Sequence, residues 1–303
     1  MADDTFTIGL VQQACVEDRR VNLERAAAGV REAADHGARI VCLQELFNSP
    51  YFCKIQSAER FDLAEPVPGP TLEVLQPMAK ELGVVLIAPL FERRSAGVYH
   101  NSAAVLDADG SLAGVYRKMH IPNDPLYCEK FYFTPGDAGP PAGGFRVFRT
   151  RHATIGVLIC WDQWYPEAAR ITSLMGAEVL FYPTAIGWHP KEKADLGPGQ
   201  VAAWRIVQRG HAIANGIYVA AVNRVGHEPE PGTDGIEFFG QSFVSDPFGK
   251  VIAQAPSNEP CVLVARCDRR HLEQVRRDWP FLRDRRIDAY GPITSRLLDG
   301  GAS

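Results

Sequence analysis

The 303-residue sequence lacks any apolar run that approaches the roughly 18 residues of a membrane-spanning helix. It also lacks an excess of positive charge, because 32 Lys and Arg residues stand against 36 Asp and Glu residues, a formal net charge of −4. This balance argues against a protein that binds nucleic acid through bulk basic charge, but not against a small cationic substrate. The N-terminal segment MADDTFTIGLVQQ has no basic region before an apolar stretch. We therefore predict no signal peptide and a cytoplasmic protein.

Several catalytic signatures are missing as well. The sequence contains no HExxH, no GxxxxGK[ST], no strand-linked GxGxxG, no GxSxG and no PCxxC. Its eight histidines are scattered and show no metal-ligand spacing with Cys, Asp or Glu. Its seven cysteines are odd in number and irregular in spacing, which predicts free thiols rather than a disulfide framework.

Strand and helix signals alternate along the chain, without a linker, an internal repeat or a low-complexity segment. Apolar runs predict strands over residues 5–11, 40–43, 84–90, 102–106, 112–116, 154–159, 178–182, 217–222, 238–245, 251–253 and 262–265. Helical spacing predicts helices over residues 23–34, 166–176 and 202–215. The Pro- and Gly-rich clusters between them are short enough to be loops, so we predict one compact α/β domain over residues 1–303.

Two residues follow apolar runs at positions that suit catalysis. Cys160 ends the run 154–159 and precedes a predicted helix, whose N-terminus would favour the thiolate. Glu45 follows the run 40–43, at the rim where ligands bind in open α/β sheets. Taken alone, each residue type is more often structural, as a buried cysteine or a solvated loop carboxylate.

Lys118 in YRKMHIP and Glu129 in CEKFYF are weaker signals, because an isolated Lys or Glu usually lies at the surface. In combination, however, LQELF around Glu45, YRKMHIP around Lys118 and GVLICWDQWYPEAAR around Cys160 resemble the nitrilase superfamily of carbon–nitrogen hydrolases. Members of that family carry an ordered Glu, Lys and Cys, each at the end of a strand. The resemblance covers nearly the whole chain, and it implies a four-layer α-β-β-α sandwich.

The resemblance also implies the roles of the site residues. Cys160 is expected to be the nucleophile, Glu45 the general base, and Lys118 the oxyanion stabiliser together with the backbone N–H of Trp161. Glu129 is expected to orient Lys118 or the substrate nitrogen. No metal or organic cofactor is implied. The family resemblance further implies a homo-oligomer, with residues 279–303 as a C-terminal oligomerisation extension, and neither nucleic acid nor a membrane is expected as a partner.

The expected substrate is a small ureido or amide compound. Relatives that cleave N-carbamoyl amino acids or N-carbamoyl-β-alanine hold the carboxylate with an arginine shortly after the cysteine, whereas residues 161–164 contain none. Several other segments, such as EKFYFTPGD and QRGHAIAN, are similar to a branch that acts on ureido diamines. The implied substrate therefore has a cationic tail, as in N-carbamoylputrescine. Candidate tail-binding residues are Asp124, Tyr132, Trp188 and Glu237, although Asp124 and Glu237 also suit solvated loop charges.

Three alternatives stay open from the sequence. The first is another enzyme of the same fold, such as an ω-amidase, an aliphatic amidase or a β-ureidopropionase-like carbamoylase. The second is a binding or regulatory protein with a degenerate site, which the intact Glu45, Lys118 and Cys160 argue against. The third is a zinc-dependent amidohydrolase, which metal analysis would distinguish.

Overall fold

The computed structural model describes residues 4–140 and 143–298. The strands within these residues are β1 (Thr5–Gln12), β2 (Ile40–Leu43), β3 (Val85–Ser95), β4 (Val98–Leu106), β5 (Leu112–Arg117), β6 (Val147–Arg149), β7 (Thr154–Val157), β8 (Val179–Pro183), β9 (Gly187–Trp188), β10 (Tyr218–Val222), β11 (Val225–Glu228), β12 (Ile236–Phe239), β13 (Phe243–Ser245), β14 (Val251–Gln254) and β15 (Cys261–Asp268). The helices are α1 (Arg19–Asp35), α2 (Pro70–Leu82), α3 (Glu129–Tyr132), α4 (Pro166–Leu174), α5 (Lys193–Asn215) and α6 (Arg269–Asp278).

Two six-stranded sheets share one plan. The first has the order β15-β1-β2-β3-β4-β5 and the second the order β14-β13-β10-β8-β7-β6. In each sheet three parallel strands occupy the centre, and antiparallel strands extend it on both sides. The central strands are covered on both faces, which explains why β2 and β8 are continuous apolar runs rather than alternating ones.

The layers are held together by apolar clusters. The inner faces of the two sheets meet in one cluster, which includes Ile8, Leu10, Ile40, Ile87 and Val105 from the first sheet and Ile155, Val157, Phe181, Ala220 and Val222 from the second. A second cluster joins α1 and α2 to the outer face of the first sheet. Trp204 of α5 packs on Phe243 at the outer face of the second sheet. Each fully buried large apolar side chain contributes about 1.5–3 kcal/mol. Two sheets packed face to face, with helices on both outer faces, confirm the predicted α-β-β-α sandwich.

Three helices, α1, α4 and α5, correspond to predicted ones, whereas α2, α3 and α6 were not predicted from the sequence. The turn at Asp107–Gly110 closes the β4–β5 hairpin as expected, with Gly110 at φ 83°. The helix predicted over residues 202–215 begins nine residues earlier, at Lys193. Gly197, Pro198 and Gly199 concealed this start in the sequence. Pro198 is the sixth residue of the helix and removes one helical hydrogen bond there.

The strand predicted over residues 238–245 is wrong, since the chain leaves one sheet and enters another within it. Gly240 and Gln241 have φ values of 57° and 58°, which no strand accommodates. Their N–H groups donate to the carbonyls of Arg224 and Pro256. As a result β12 joins a small third sheet of order β11-β12-β9, while β13 pairs with β10. The predicted strand 154–159 likewise ends at Val157.

The C-terminal segment 279–298 runs over the surface after α6, with short 3₁₀ turns at Ile287–Ala289 and Gly291–Thr294. Its apolar side chains are unusually exposed, as shown by Ile287 at 74% and Leu297 at 72%. Residues 299–303 of the predicted extension 279–303 lie outside the described residues. Among the helices that the structure describes, none combines the length and the apolar character needed to cross a membrane.

Candidate active site

The three motif residues lie just beyond the ends of strands, and the fold brings them to one place. Glu45 follows β2, Lys118 follows β5 directly, and Cys160 opens a short 3₁₀ turn, Cys160–Trp164, after β7. Glu45 and Lys118 therefore come from the first sheet and Cys160 from the second. Glu129, the first residue of α3, joins them from the loop that follows Lys118.

Lys118 lies between two carboxylates. Its Nζ donates to Glu45 Oε1 at 2.8 Å and to Glu129 Oε2 at 2.6 Å, and all three residues are completely buried. Each carboxylate has a second donor, since Asn101 Nδ2 lies 2.6 Å from Glu45 Oε1 and Tyr51 Oη lies 2.7 Å from Glu129 Oε1. Within the described part of the chain, Glu45 Oε2 is buried without a hydrogen-bond partner. One carboxylate oxygen is thus left for a proton from a reacting group.

The charges of this cluster shift one another's titration. Burial alone would lower the pKa of Lys118, but the carboxylates of Glu129 and Glu45 outweigh it and hold the pKa well above its usual value. Burial raises the pKa of Glu129 to about 7, against the lowering effect of the Lys118 charge. Lys118 is therefore a fixed cation, while Glu129 can change its charge near neutral pH.

Cys160 has an unusual backbone conformation, with φ at 45°, and only 5% of its surface is exposed. A non-glycine residue in the left-handed region is strained, and such strain concentrates at functional sites. Burial, and next the charge of Glu45, raise the pKa of the Cys160 thiol well above its usual value, although Lys118 lowers it. Desolvation and a nearby anion therefore oppose the thiolate that the following helix was expected to favour. A base must take its proton during the reaction.

The turn that carries Cys160 is held by the fully buried Asp162. The Asp162 carboxylate accepts the backbone N–H of Ile159 at 2.9 Å and the hydroxyl of Tyr116 at 2.7 Å. On its other oxygen it accepts the backbone N–H of His120 at 3.0 Å, with the ring Nδ1 of His120 2.7 Å away. Asp162 thereby links the nucleophile turn of the second sheet to the strand end that presents Lys118.

A cavity of about 350 Å³ opens beside this cluster, which is a suitable size for a small ligand. Its wall is mainly apolar and aromatic, and its exposed acidic lining residues, Asp124 and Glu192, define its mouth. The lining residues include Asp124, Tyr127, Glu129, Cys160, Trp161, Trp164, His189, Glu192, Gln200 and Phe239. Tyr127 also fixes the wall, since its hydroxyl accepts from the N–H of Gly187 at 3.1 Å.

The structure brings one of the four predicted tail-binding residues to this cavity. Asp124 is among the lining residues. Tyr132 is buried in an aromatic cluster, where its hydroxyl donates to the carbonyl of Ile55. Trp188 donates its indole N–H to the carbonyl of Gly197, and Glu237 pairs with Lys193 at 2.6 Å. None of these last three is among the described residues that line the cavity, because each is engaged elsewhere.

The segment after Cys160 divides between the cavity and the protein interior. Trp161 and Trp164 line the cavity. Gln163 is fully buried, and its Oε1 accepts the indole N–H of Trp204 at 2.9 Å. Position 164, rather than position 163, is therefore the place from which a side chain could reach a substrate tail.

Several residues of the site were not found from the sequence. Tyr51 and Asn101 complete the hydrogen bonds of the two carboxylates, and Glu192 adds a second carboxylate at the cavity mouth. Arg224 donates to the backbone that carries Glu45. No local pattern marks these residues, because each comes from a segment remote from the three motifs. They could have been found only from their spatial neighbours.

A two-sheet sandwich that joins Glu, Lys and Cys at its strand ends has the architecture of the nitrilase superfamily. The carbon–nitrogen hydrolase family profile matches residues 7–277, and the chain belongs to this family. An N-carbamoylputrescine amidase of Solanum lycopersicum is 47% identical over 298 residues, which cover 97% of this chain and 96% of the relative. A citrullinase of Francisella tularensis is 40% identical and covers 95% of this chain and 98% of the relative. The crystal structure of a carbon–nitrogen hydrolase from Helicobacter pylori G27 superposes with a TM-score of 0.92, at 45% identity, over 97% of this chain and all of that chain.

Proposed function

We propose that this protein hydrolyses the ureido bond of N-carbamoylputrescine through a covalent intermediate on Cys160, releasing putrescine, CO₂ and ammonia. The observation that carries the proposal is the completely buried Glu45–Lys118–Glu129 cluster beside a cavity lined by Cys160. The similarity to N-carbamoylputrescine amidases over nearly the whole chain supports the choice of substrate.

The first half of the reaction forms the intermediate. Glu45 takes the thiol proton on its unpartnered Oε2, and Cys160 Sγ attacks the carbamoyl carbon. Lys118 uses two of its three N–H donors for Glu45 and Glu129, so the third stabilises the oxyanion together with the backbone N–H of Trp161. The C–N bond then breaks, and Glu45 passes its proton to the leaving amine. A carbamoyl thioester remains on Cys160.

The second half releases the carbamoyl group. Water enters where the amine has left, and Glu45 takes its proton as the oxygen attacks the thioester carbon. The C–S bond breaks, the Cys160 thiolate takes this proton back from Glu45, and carbamic acid leaves. Carbamic acid decomposes to CO₂ and ammonia. The neutral resting thiol suits this cycle, because Glu45 begins and ends each half as the unprotonated base.

The charges at the cavity mouth support a cationic substrate tail. The carboxylates of Asp234 and Glu237, which do not line the cavity, are already paired, with Lys191 at 2.8 Å and with Lys193 at 2.6 Å. Among the described residues, no hydrogen bond or ion pair is made by the carboxylates of Asp124 and Glu192, the exposed acidic residues that line the cavity. We propose that these two bind the distal ammonium group, while the wall of the cavity packs on the methylene chain.

The test is ammonia and amine release from the purified protein with a matched panel of substrates. We expect kcat/KM for N-carbamoylputrescine to exceed that for N-carbamoyl-β-alanine by at least about tenfold, because a carboxylate tail meets carboxylates. Failure to release putrescine, together with fast turnover of a carboxylate-tailed substrate, would contradict the proposal.

The family relationship makes citrulline the most informative competitor in this panel. Its ureido group is the same, but its tail carries both an ammonium and a carboxylate. A preference for citrulline would move the assignment toward the activity named for the Francisella tularensis relative. A preference for simple ω-amides or aliphatic amides would instead identify an amidase with the same Glu45–Lys118–Cys160 chemistry.

We further propose that residues 1–303 form one domain that acts in the cytoplasm, and that the extension 279–303 joins it to further copies. Exposed apolar side chains such as Ile287, Ile293 and Leu297 support the extension's role. Deleting residues 279–303 should reduce the mass measured by light scattering to that of a smaller assembly. An unchanged mass would contradict this role.

A further inference from the structure

The structure contains a buried ion pair, Arg224–Glu228, that is not part of the proposed chemistry. Arg224 is completely buried, and its Nη1 donates to Glu228 Oε1 at 2.6 Å. Arg224 follows β10 of the second sheet, whereas the segment it contacts belongs to the first sheet. A buried charge pair of this kind costs solvation and is weak evidence for stability alone. The contacts of the pair indicate a role in holding the backbone of the site rather than in stability alone.

Arg224 binds the turn that presents Glu45. Its two terminal nitrogens donate to the backbone carbonyls of Glu45 at 3.0 Å, Leu46 at 2.8 Å and Ser49 at 2.9 Å. The turn is strained at Leu46, where φ is 49°. Together with the bond to Glu228, Arg224 makes four hydrogen bonds from two nitrogens held in one plane, whereas an ammonium has only three donors on a single atom.

Glu228 reaches the other carboxylate of the site. Its Oε2 accepts the backbone N–H of Tyr51 at 2.6 Å. The hydroxyl of Tyr51 in turn donates to Glu129 Oε1 at 2.7 Å. One ion pair therefore supports Glu45 through Arg224 and Glu129 through Tyr51.

We infer that Arg224 and Glu228 are positioning residues that fix Glu45 and Glu129 relative to Cys160 across the two sheets. The need arises from the fold, because Glu45 comes from one sheet and Cys160 from the other. Small displacements of a base relative to its proton donor lower the rate strongly. This inference rests on the proposed function, since it assumes that Glu45 accepts the thiol proton.

The test uses Arg224→Lys, which keeps the charge but loses the fork. In the full chain, we expect kcat on the best wild-type substrate to fall at least about tenfold, with KM changed less than about twofold, because Arg224 does not line the cavity. The matched control is Arg269→Lys. Arg269 also joins a carboxylate, Glu178, to a backbone carbonyl, but it lies near the opposite ends of β7 and β8. The control should lower Tm without changing kcat.

A second measurement does not depend on turnover. The charge of Glu45 raises the pKa of Cys160, so a displaced Glu45 should shift the pH profile of Cys160 alkylation by iodoacetamide to lower pH. Glu45→Gln provides the reference for this shift. Arg224→Lys should move in the same direction, whereas Arg269→Lys should match the wild type. This readout stays valid even if the proposed substrate is wrong.

A third variant separates positioning from stability. Arg224→Met with Glu228→Met removes both charges, and the buried Lys54, 3.8 Å from Glu228, keeps Glu230 at 3.6 Å as its partner. The double variant should therefore fold better than Arg224→Met alone. We expect its kcat to stay low despite the recovered Tm. Recovery of both Tm and kcat, or a wild-type alkylation profile in folded Arg224→Lys, would overturn the inference. Failure of the proposed function would be seen separately, in the wild-type substrate panel.

Discussion

The buried cluster and the mouth of the cavity carry similar residue types in opposite environments. Glu45 and Glu129 are completely buried, and each accepts hydrogen bonds from two side-chain donors at 2.6–2.8 Å. Asp124 and Glu192 are exposed and have no ion-pair partner among the described residues. The first environment fixes geometry and shifts pKa values. The second offers charge without rigid geometry, as tail recognition in surface loops requires.

This difference predicts two kinds of response to substitution. Changes in the buried cluster should lower kcat for every substrate, because they act on the common ureido or amide group. Changes at the mouth should alter KM for cationic substrates only and leave uncharged ones unaffected. If a substitution at the mouth lowered kcat for all substrates, the two regions would not have the separate roles described here.

The largest effect is expected from Cys160→Ala, which should abolish turnover because no nucleophile remains. Cys267 is matched in burial but lies in β15, away from the cavity. Cys267→Ala should therefore keep most of the activity and lose some stability. The measurement is the rate of ammonia release by each variant, compared at equal concentrations of folded protein. Turnover by Cys160→Ala would exclude it as the nucleophile.

Glu45→Gln and Lys118→Met should each lower kcat at least about 10²-fold, the scale of a lost general base or oxyanion donor. Lys118→Met should also lower Tm, because two buried carboxylates then face each other without a cation. Glu178→Gln, in an ion pair outside the cavity, serves as the control. Near-wild-type kcat in folded Lys118→Met would remove its oxyanion role.

Glu129 should give the cluster its pH dependence. Both of its oxygens accept hydrogen bonds, so the ionised form fits the structure, and its pKa is raised to about 7. Activity should therefore be low below pH 7, where Glu129 is protonated, and should rise as the pH passes about 7 and the carboxylate becomes charged. Glu129→Gln should lower kcat and remove this limb. A pH–rate profile of kcat measures both effects, and an unchanged acid limb in the variant would show that another group titrates there.

The smallest effects are expected at the mouth. Asp124→Asn and Glu192→Gln should each raise KM for N-carbamoylputrescine about two- to fivefold, because exposed ion pairs contribute only about 0.2–1 kcal/mol. An uncharged ureido substrate of the same length should not respond. Asp234→Asn, which removes a carboxylate already paired with Lys191, is the matched control. Equal responses of the charged and uncharged substrates would contradict a cationic tail site.

The sequence predicted the parts of the site that follow from strand ends. Glu45, Lys118 and Cys160 each lie just beyond the end of a strand. The layers of the sandwich were implied by the family resemblance that these residues carry, and the apolar runs were only compatible with them. Residues contributed by distant segments were not predictable. Arg224 meets Glu45 only because the fold brings the segment after β10 of the second sheet to the segment after β2 of the first, and no spacing in the sequence encodes that contact.

The burial and the charged neighbours of each site residue could not be predicted from the sequence either. The position of Cys160 before a helix favoured a thiolate, but its pKa depends on burial and on Glu45, which only the fold brings together. The four predicted tail residues were chosen by type, and three of them turned out to be engaged elsewhere. Asp124 differs because its loop reaches the cavity mouth, and Glu192 escaped notice because Gly197 and Pro198 obscured the helix that follows it.

The most direct test of the central claim is to trap the intermediate. Acid quenching during steady-state turnover of N-carbamoylputrescine, followed by peptide mapping with mass spectrometry, should find one added carbamoyl group on the peptide that contains Cys160. The same peptide from Cys160→Ala should be unmodified. Rapid turnover with no adduct on Cys160 at any quench time, together with turnover by Cys160→Ala, would contradict covalent catalysis by this residue.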